Sequence, residues 1–206
     1  MKQPLEFIRH RLNSLSELKT GDPRWGVEVD IRAHPDSPGK LYVAHDPWVS
    51  GVDFDTWLSH FLRTGYRGTL VLNTKEDSLE ETLLERCRRA KITNFRFLDT
   101  ASPTLVRWSK TDRASHFFAR VSHDEPVEAA LSFRGKIDWL WVDCFDGVPL
   151  EREALAKAVG AFKLCLVSPE LHGQPLSTIS KFSDLFPLAD AICTKSPEAW
   201  ENLFIR

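Results

Sequence analysis

The chain has 206 residues, 42% of them hydrophobic and 27% charged, and 27 Lys and Arg against 29 Asp and Glu give a formal charge of -2. This length supports a real core, and the lack of a basic excess excludes the usual signature of a nucleic-acid partner. No apolar run approaches the length of a membrane span, and the first residues lack the apolar stretch of a secretory signal, so we expect a cytoplasmic protein with no transmembrane segment.

Short apolar runs alternate along the chain with segments that have the periodicity and end signals of helices. Eight runs, rich in Val, Leu, Ile and Phe, predict strands buried on both faces. They are 6–10, 26–32, 69–75, 95–100, 116–122, 137–145, 163–170 and 191–195, and 41–46 predicts an extra strand. Capping boxes predict helices that begin near Ser14 and Ser78, the second ending at Ala90, and 150–161 is rich in helix formers.

This alternation predicts an α/β fold, a compact (β/α)8 TIM barrel formed as one domain over residues 1–206. An open, doubly wound sheet is the alternative. No glycine-rich phosphate loop follows any predicted strand, which counts against a dinucleotide-binding fold. The four cysteines are widely spaced, with no CxxC motif, and are predicted to be reduced thiols in the core.

In both architectures ligands bind at the carboxyl ends of the strands, where this chain places two histidines and two acids. His10 ends the first predicted strand and His45 ends the extra strand, and the two imidazoles could pass protons. Glu28 and Asp30 share one face of the second strand, where burial of two unpaired carboxylates would be costly. A divalent cation would resolve this cost, and a buried ion pair with Lys75 or Arg11 is the alternative.

The third predicted strand adds two polar side chains on one face. Lys75 is suited to hold a phosphate oxygen, and Asn73 could be a neutral oxygen ligand of the cation. A salt bridge from Lys75 to the acidic pair is compatible with this site. Trp139 and Trp141 share a strand face, where core packing is favoured over a role in a substrate pocket. The remaining histidines are interpreted as surface residues: His34, His60, His116, His123 and His172.

The pattern His10-Arg11, Glu28-Val-Asp30 and His45-Asp46-Pro47 resembles the glycerophosphodiester phosphodiesterase family. Its superfamily also contains phosphatidylinositol-specific phospholipases C and sphingomyelinases D. Asn73-Thr-Lys75 stands where that family has an acidic residue, a spacer and often Lys, and 190–194 is similar to its last barrel strand.

The resemblance implies a metal-dependent phosphodiesterase barrel, either a hydrolase or a lyase that forms a cyclic phosphate. By this likeness Glu28 and Asp30 bind Mg²⁺ or Ca²⁺, with Asn73 as the third ligand, and His10 and His45 are the acid/base pair. Arg11 and Lys75 bind the phosphate of a glycerophosphodiester-like, phospholipid or polysaccharide substrate. Either a neighbouring hydroxyl of the substrate or water would attack in line.

The sequence departs from the family pattern at three positions. Leu12 stands where the family usually has Gly, Asn73 replaces an acidic ligand, and Lys195 replaces an Asp, adding positive charge that we expect to help bind phosphate. These changes favour a second hypothesis, a barrel that binds a phosphorylated ligand without turnover. A third hypothesis is an aldolase or isomerase in which Lys75 or Lys195 forms a Schiff base.

Overall fold

The computed structural model describes residues 4–204 and shows a mixed α/β fold built on a central sheet. The two ends of the predicted domain, 1–3 and 205–206, lie outside the described residues. The strands are β1 (Glu6–Arg9), β2 (Gly26–Ala33), β3 (Leu41–Val43), β4 (Val52–Asp53), β5 (Leu70–Thr74), β6 (Phe95–Leu98), β7 (Phe118–Val121), β8 (Trp139–Val142), β9 (Lys163–Val167) and β10 (Ala191–Thr194). The α-helices are α1 (Phe54–Thr64), α2 (Glu80–Arg89), α3 (Ser102–Trp108), α4 (Val127–Leu131), α5 (Arg152–Ala156) and α6 (Pro197–Phe204).

The eight predicted strands all form, and they pair in parallel in two runs that share β1. One run is β1-β2-β5-β6 and the other is β1-β10-β9-β8-β7. The extra strand is shorter than predicted, and with β4, which the sequence pattern does not reveal, it extends β2 as an antiparallel ribbon. Among the described strands, β6 and β7 share no ladder, and a single parallel bridge joins Phe97 to Phe117.

Alternation along the strands divides the buried side chains between two apolar clusters. Val27, Val29 and Ile31 of β2 belong to the cluster that packs against the helices. Glu28 and Asp30 therefore point to the opposite face, as predicted from their spacing. On that face a second cluster joins Ile8 of β1 to side chains of β5 through β10, among them Trp139 and Trp141, as expected for core residues.

The helices are short, and one is clearly shorter than its sequence pattern predicts. The predicted helix over 150–161 forms only over Arg152–Ala156, and 3-10 turns follow β9. Ser14 and Glu17 form the predicted reciprocal capping pair, although only a 3-10 turn follows. The capping box predicted at Ser78 is wrong, because Ser78 has a φ of 72° and α2 begins after Leu79.

Two simple expectations of the sequence can be compared with the described chain. All four cysteines are buried and free, as predicted. None of the helices within residues 4–204 combines the length and the apolar character needed to cross a membrane.

Candidate active site

A polar cavity of about 180 Å³ opens at the carboxyl ends of the parallel strands. Five of the residues singled out from the sequence line it: His10, Arg11, His45, Asn73 and Lys75. Four polar residues from the second half of the chain also line it: Asp99, Arg120, Asp143 and His172. The folding of the sheet thus gathers side chains from positions 10 to 172 around one small space.

The acidic pair lies buried beneath this lining, with both residues fully shielded from solvent. Glu28 accepts a hydrogen bond from the Arg11 backbone N–H at 2.6 Å and another from the Asn73 side-chain amide at 2.9 Å. Asp30 accepts from the Asn13 amide at 2.8 Å and faces the Lys75 ammonium at 2.9 Å. Protein donors therefore satisfy much of the charge that the sequence predicts will be buried here.

The two carboxyl groups have different electrostatic environments. Burial, with the nearby charge of Asp30, raises the pKa of Glu28 to about 7. Burial also acts to raise the pKa of Asp30, but the Lys75 charge and the hydrogen bond from Asn13 hold that pKa below its ordinary value. Asp30 is therefore the permanent negative charge of the pair, and Glu28 is the group that gains most from an added positive charge.

His10 stands at the end of β1 with its side chain only 11% exposed. Burial, followed by the neighbouring charge of Arg11, lowers the pKa of His10 to about 3. Its Nε2 lies 3.9 Å from Glu28, and its buried Nδ1 has no hydrogen-bond partner. The imidazole is therefore neutral near pH 7, so one of its ring nitrogens can accept a proton.

The segment after His10 is tied to the core in an unusual backbone conformation. Arg11 has a φ of 53°, in the left-handed region that non-glycine residues rarely adopt, at a cost of about 1–3 kcal/mol. Leu12 follows with its side chain buried, its N–H donating to Glu28 and its carbonyl accepting from the indole of Trp57 on α1. Leu12 therefore anchors this segment to the core. The left-handed backbone conformation is at Arg11, the residue before Leu12.

Lys75 links the two halves of the site. Its ammonium lies 2.9 Å from Asp30 in the first half and 3.5 Å from Asp99 in the second. Asp99 has a φ of 62° and accepts a hydrogen bond from Arg120 of β7. Two strained backbone positions, Arg11 and Asp99, thus face one cavity, as is common where a fold holds functional groups in place.

His45 is held at the rim by contacts to its backbone. The Arg32 guanidinium donates two hydrogen bonds to the His45 carbonyl, at 2.8 and 3.2 Å. Arg32 is fixed in turn by Glu76, which accepts from it at 2.5 Å. The His45 ring, 39% exposed, bonds Asp46 through Nδ1 at 2.7 Å, which leaves Nε2 as the nitrogen available to a ligand.

His172 is the main residue that the sequence interpretation misplaces. It was expected at the surface, but it lines the cavity and its Nε2 lies 2.5 Å from Asp143, a buried carboxylate at the end of β8. Its side chain is only 21% exposed. The available signal was Asp143 itself, a strand-end acid whose charge needs a partner once it is buried.

Three further placements qualify the sequence predictions. Lys195 is exposed and does not line the cavity, although its charge is among those that lower the pKa of His10. Trp141 lines the cavity and packs edge-on against Phe118 at 5.3 Å, so it is both a core and a site residue. His116, also expected at the surface, is half-buried and stacks on Phe95 at 4.2 Å.

Glu28, Asp30 and Asn73 together offer a divalent cation two carboxylates and one amide oxygen. The buried Oδ1 of Asn73 has no hydrogen-bond partner. Hard oxygen donors of this kind suit Mg²⁺ or Ca²⁺, so the residues fit such an ion in chemistry. Within residues 4–204, no group of three or more His, Cys, Asp or Glu side chains is arranged to hold a metal.

The chain is similar in structure to the glycerophosphodiester phosphodiesterase from Agrobacterium tumefaciens str. C58. The TM-score is 0.64, with 97% of this chain and 98% of that chain covered, and the two sequences are 13% identical. At this identity the likeness shows a shared fold and no more. No protein-family model matches the chain, and no curated protein matches it.

Proposed function

We propose that this protein is a phosphodiesterase that cleaves its substrate in the cavity at the strand ends. The observation that carries the proposal is the meeting of two histidines, Arg11 and Lys75 around one small space above a buried acidic pair. The fold shared with a glycerophosphodiester phosphodiesterase supports it. The proposed reaction is hydrolysis, or transfer to a neighbouring substrate hydroxyl that gives a cyclic phosphate.

We also propose that the sheet closes into a (β/α)8 barrel. The Phe97–Phe117 bridge brings the two ends of the parallel sheet, β6 and β7, side by side. The inner apolar cluster supports closure, because it joins Leu98 of β6 to Phe118 of β7. In a closed barrel these contacts fill the interior, and the polar cavity lies above them at the C-terminal face.

We assign a role in the reaction to each charged or polar side chain at the cavity. Arg11 and Lys75 bind the phosphoryl oxygens, and Lys195 adds positive charge from outside the cavity wall. His10, neutral near pH 7, accepts the proton of the attacking hydroxyl or water. His45 protonates the leaving oxygen through Nε2, since its Nδ1 is bonded to Asp46. Glu28, Asp30 and Asn73 would hold Mg²⁺ or Ca²⁺, which would supply further positive charge against the phosphoryl oxygens.

The two other hypotheses from the sequence receive unequal support. A barrel that binds a phosphorylated ligand without turnover remains the alternative, favoured by Asn73 in place of an acidic ligand. The Schiff-base hypothesis loses support, because Asp30 and Asp99 stabilise the Lys75 ammonium, whereas a nucleophilic lysine must be a free amine. Lys195 does not line the cavity.

The deciding experiment is hydrolysis of bis(p-nitrophenyl) phosphate and of glycerophosphodiesters with Mg²⁺, with Ca²⁺ and in excess chelator. We expect turnover with a cation, and a fall of about 10²–10⁴-fold in His10→Ala. Nδ1 of His10 has no hydrogen-bond partner and Nε2 lies 3.9 Å from Glu28, so removal of the ring leaves no buried group without a hydrogen bond that it had before. Circular dichroism should therefore show the variant folded. Full turnover in folded His10→Ala would contradict the role of His10, and no turnover of any diester would favour the binding-only alternative.

The cation has its own readout, independent of turnover. At a concentration about 100 times its Kd, Mg²⁺ or Ca²⁺ should stabilise the native protein by about 2.7 kcal/mol. Glu28→Gln should lose most of this stabilisation while keeping the hydrogen bond from Asn73. Equal thermal shifts in both proteins, or undiminished turnover in excess chelator, would remove the cation from the proposal.

A further inference from the structure

A second cavity, of about 660 Å³, lies between α3 and α4 and adjoins the polar cavity. Most of its lining residues are alanine, leucine or phenylalanine, and its charged residues, Asp99, Arg120 and Glu125, come from the strand-end segments after β6 and on and after β7. The groove between α3 and α4 is thus mainly apolar along its helices, with Ser102 and Ser132 as polar side chains there, and charged where it approaches the candidate active site.

The groove lies beside β6 and β7, the two strands between which the parallel sheet has no hydrogen-bonded ladder. β6 and β7 are joined at Phe97 and Phe117, and beyond that bridge they share no further pairing among the described residues. Leu98 and Phe118, which follow the bridge, belong to the inner apolar cluster, whereas Leu105 belongs to the cluster under the helices. Because side chains of both clusters line it, the groove connects the two faces of the sheet.

The two cavities adjoin, because Leu98, Asp99 and Arg120 line both. Arg120 and Asp99 are hydrogen-bonded to each other on this shared wall. Pockets that enclose a small molecule measure roughly 300–1,000 Å³. The polar cavity, at about 180 Å³, is too small for more than the phosphate group and its immediate atoms. The groove, at about 660 Å³, has room for the rest of a substrate.

We propose that this groove binds the hydrocarbon chain of an amphiphilic phosphodiester, in which one alcohol carries a single acyl or alkyl chain. The inference rests on the proposed function, since the phosphate of that molecule would lie between Arg11 and Lys75. Arg120 stands at the junction, where it is hydrogen-bonded to Asp99, and the helical walls beyond it complement a chain. Burial of each methylene there is favourable by about 0.8 kcal/mol, or about fourfold in affinity.

The test uses alkyl phosphocholines, which are phosphodiesters with one alkyl chain, from butyl to dodecyl, below their micellar concentrations. Calorimetry measures Kd for the native protein, for Ala129→Trp and for Ala156→Trp. Ala129 is exposed on α4 and lines the groove, so the indole should fill it, whereas Ala156 is exposed on α5 and lines neither cavity. We expect Kd to fall about fourfold per methylene in the native protein and in Ala156→Trp, and to be nearly independent of chain length in Ala129→Trp.

Turnover of glycerophosphocholine, which has no chain, separates this proposal from the proposed function. If it is cleaved equally by both tryptophan variants while chain-dependent binding is lost only in Ala129→Trp, both proposals hold. Chain-dependent binding without cleavage of any diester would support the groove and overturn the phosphodiesterase. Equal Kd for butyl and dodecyl compounds, or equal loss in the two variants, would overturn the groove as the site of the chain.

Discussion

The two halves of the strand-end rim differ in how their polar residues are arranged along the chain. The first half, from β1 to β5, supplies four polar residues to the cavity. His10 and Arg11 follow β1, His45 follows β3, and Lys75 follows β5. The second half supplies single residues, Asp99, Arg120, Asp143 and His172, each after or near the end of a different strand. The two halves nevertheless enclose one cavity and meet where Lys75 contacts Asp99 at 3.5 Å.

This difference separates what each half is expected to do. The first half holds the charges suited to a phosphate and the histidines suited to proton transfer. The second half holds neutralised pairs, Arg120 with Asp99 and His172 with Asp143, and leads into the apolar groove. We therefore expect substitutions in the first half to affect the chemical step, and those in the second half to affect chiefly the binding of the alcohol.

The largest expected effect is that of His45→Ala, in the first half. Under the proposed role of His45 in proton transfer, its loss should lower kcat by about 10²–10⁴-fold, and the half-exposed ring should be removed with little effect on stability. The matched control is His34→Ala, an exposed histidine in the loop between β2 and β3, which should retain full activity. Steady-state kinetics with a phosphodiester measures kcat of both variants. Equal activity in the two would contradict the assignment of the chemical step to the first half.

The same contrast explains how much of the molecule could be predicted. The parallel strands and the shared face of Glu28 and Asp30 follow from local alternation, so the sequence was sufficient for them. The pairing of His172 with Asp143 joins positions 29 residues apart across a loop and a strand, and no local pattern encodes it. The hairpin strand β4 has two residues, too few for a periodic signal.

The lack of a hydrogen-bonded ladder between β6 and β7 could not be predicted from the sequence either. Both strands have the apolar content of their neighbours, so nothing in their residues indicates that they pair only through Phe97 and Phe117. The sequence likewise predicted Lys75 and Arg11 as charged partners of the acidic pair, which both contact Asp30, but not Asn13, whose amide donates to Asp30 at 2.8 Å. These features depend on where separate elements meet in space.

A smaller effect is expected at the junction of the halves, from Lys75→Met. The variant removes a charge that we propose binds the phosphoryl oxygens, so kcat/KM should fall about 10²-fold. Among residues 4–204, it also leaves the buried Asp30 with Arg11, 3.6 Å away, as its remaining charged partner, so unfolding should require about 3 kcal/mol less. Urea unfolding and kinetics measure the two effects, and exposed Lys110→Met is the control. Unchanged stability would mean that Lys75 does not hold the acidic pair.

The smallest effect, and the sharpest test of the second half, is that of His172→Gln. Loss of one hydrogen bond to the alcohol of the substrate should raise KM about tenfold, equivalent to about 1.4 kcal/mol, and leave kcat nearly unchanged. Asp143→Asn should have a similar effect, and the double variant should be no worse than either alone, because the aspartate would act by orienting the imidazole 2.5 Å away. The control is His123→Gln, an exposed histidine after β7 that does not line the cavity. A fall in kcat of His172→Gln as large as that of His45→Ala would assign proton transfer to the second half as well. Unchanged kcat and KM would mean that His172 contributes to neither binding nor proton transfer.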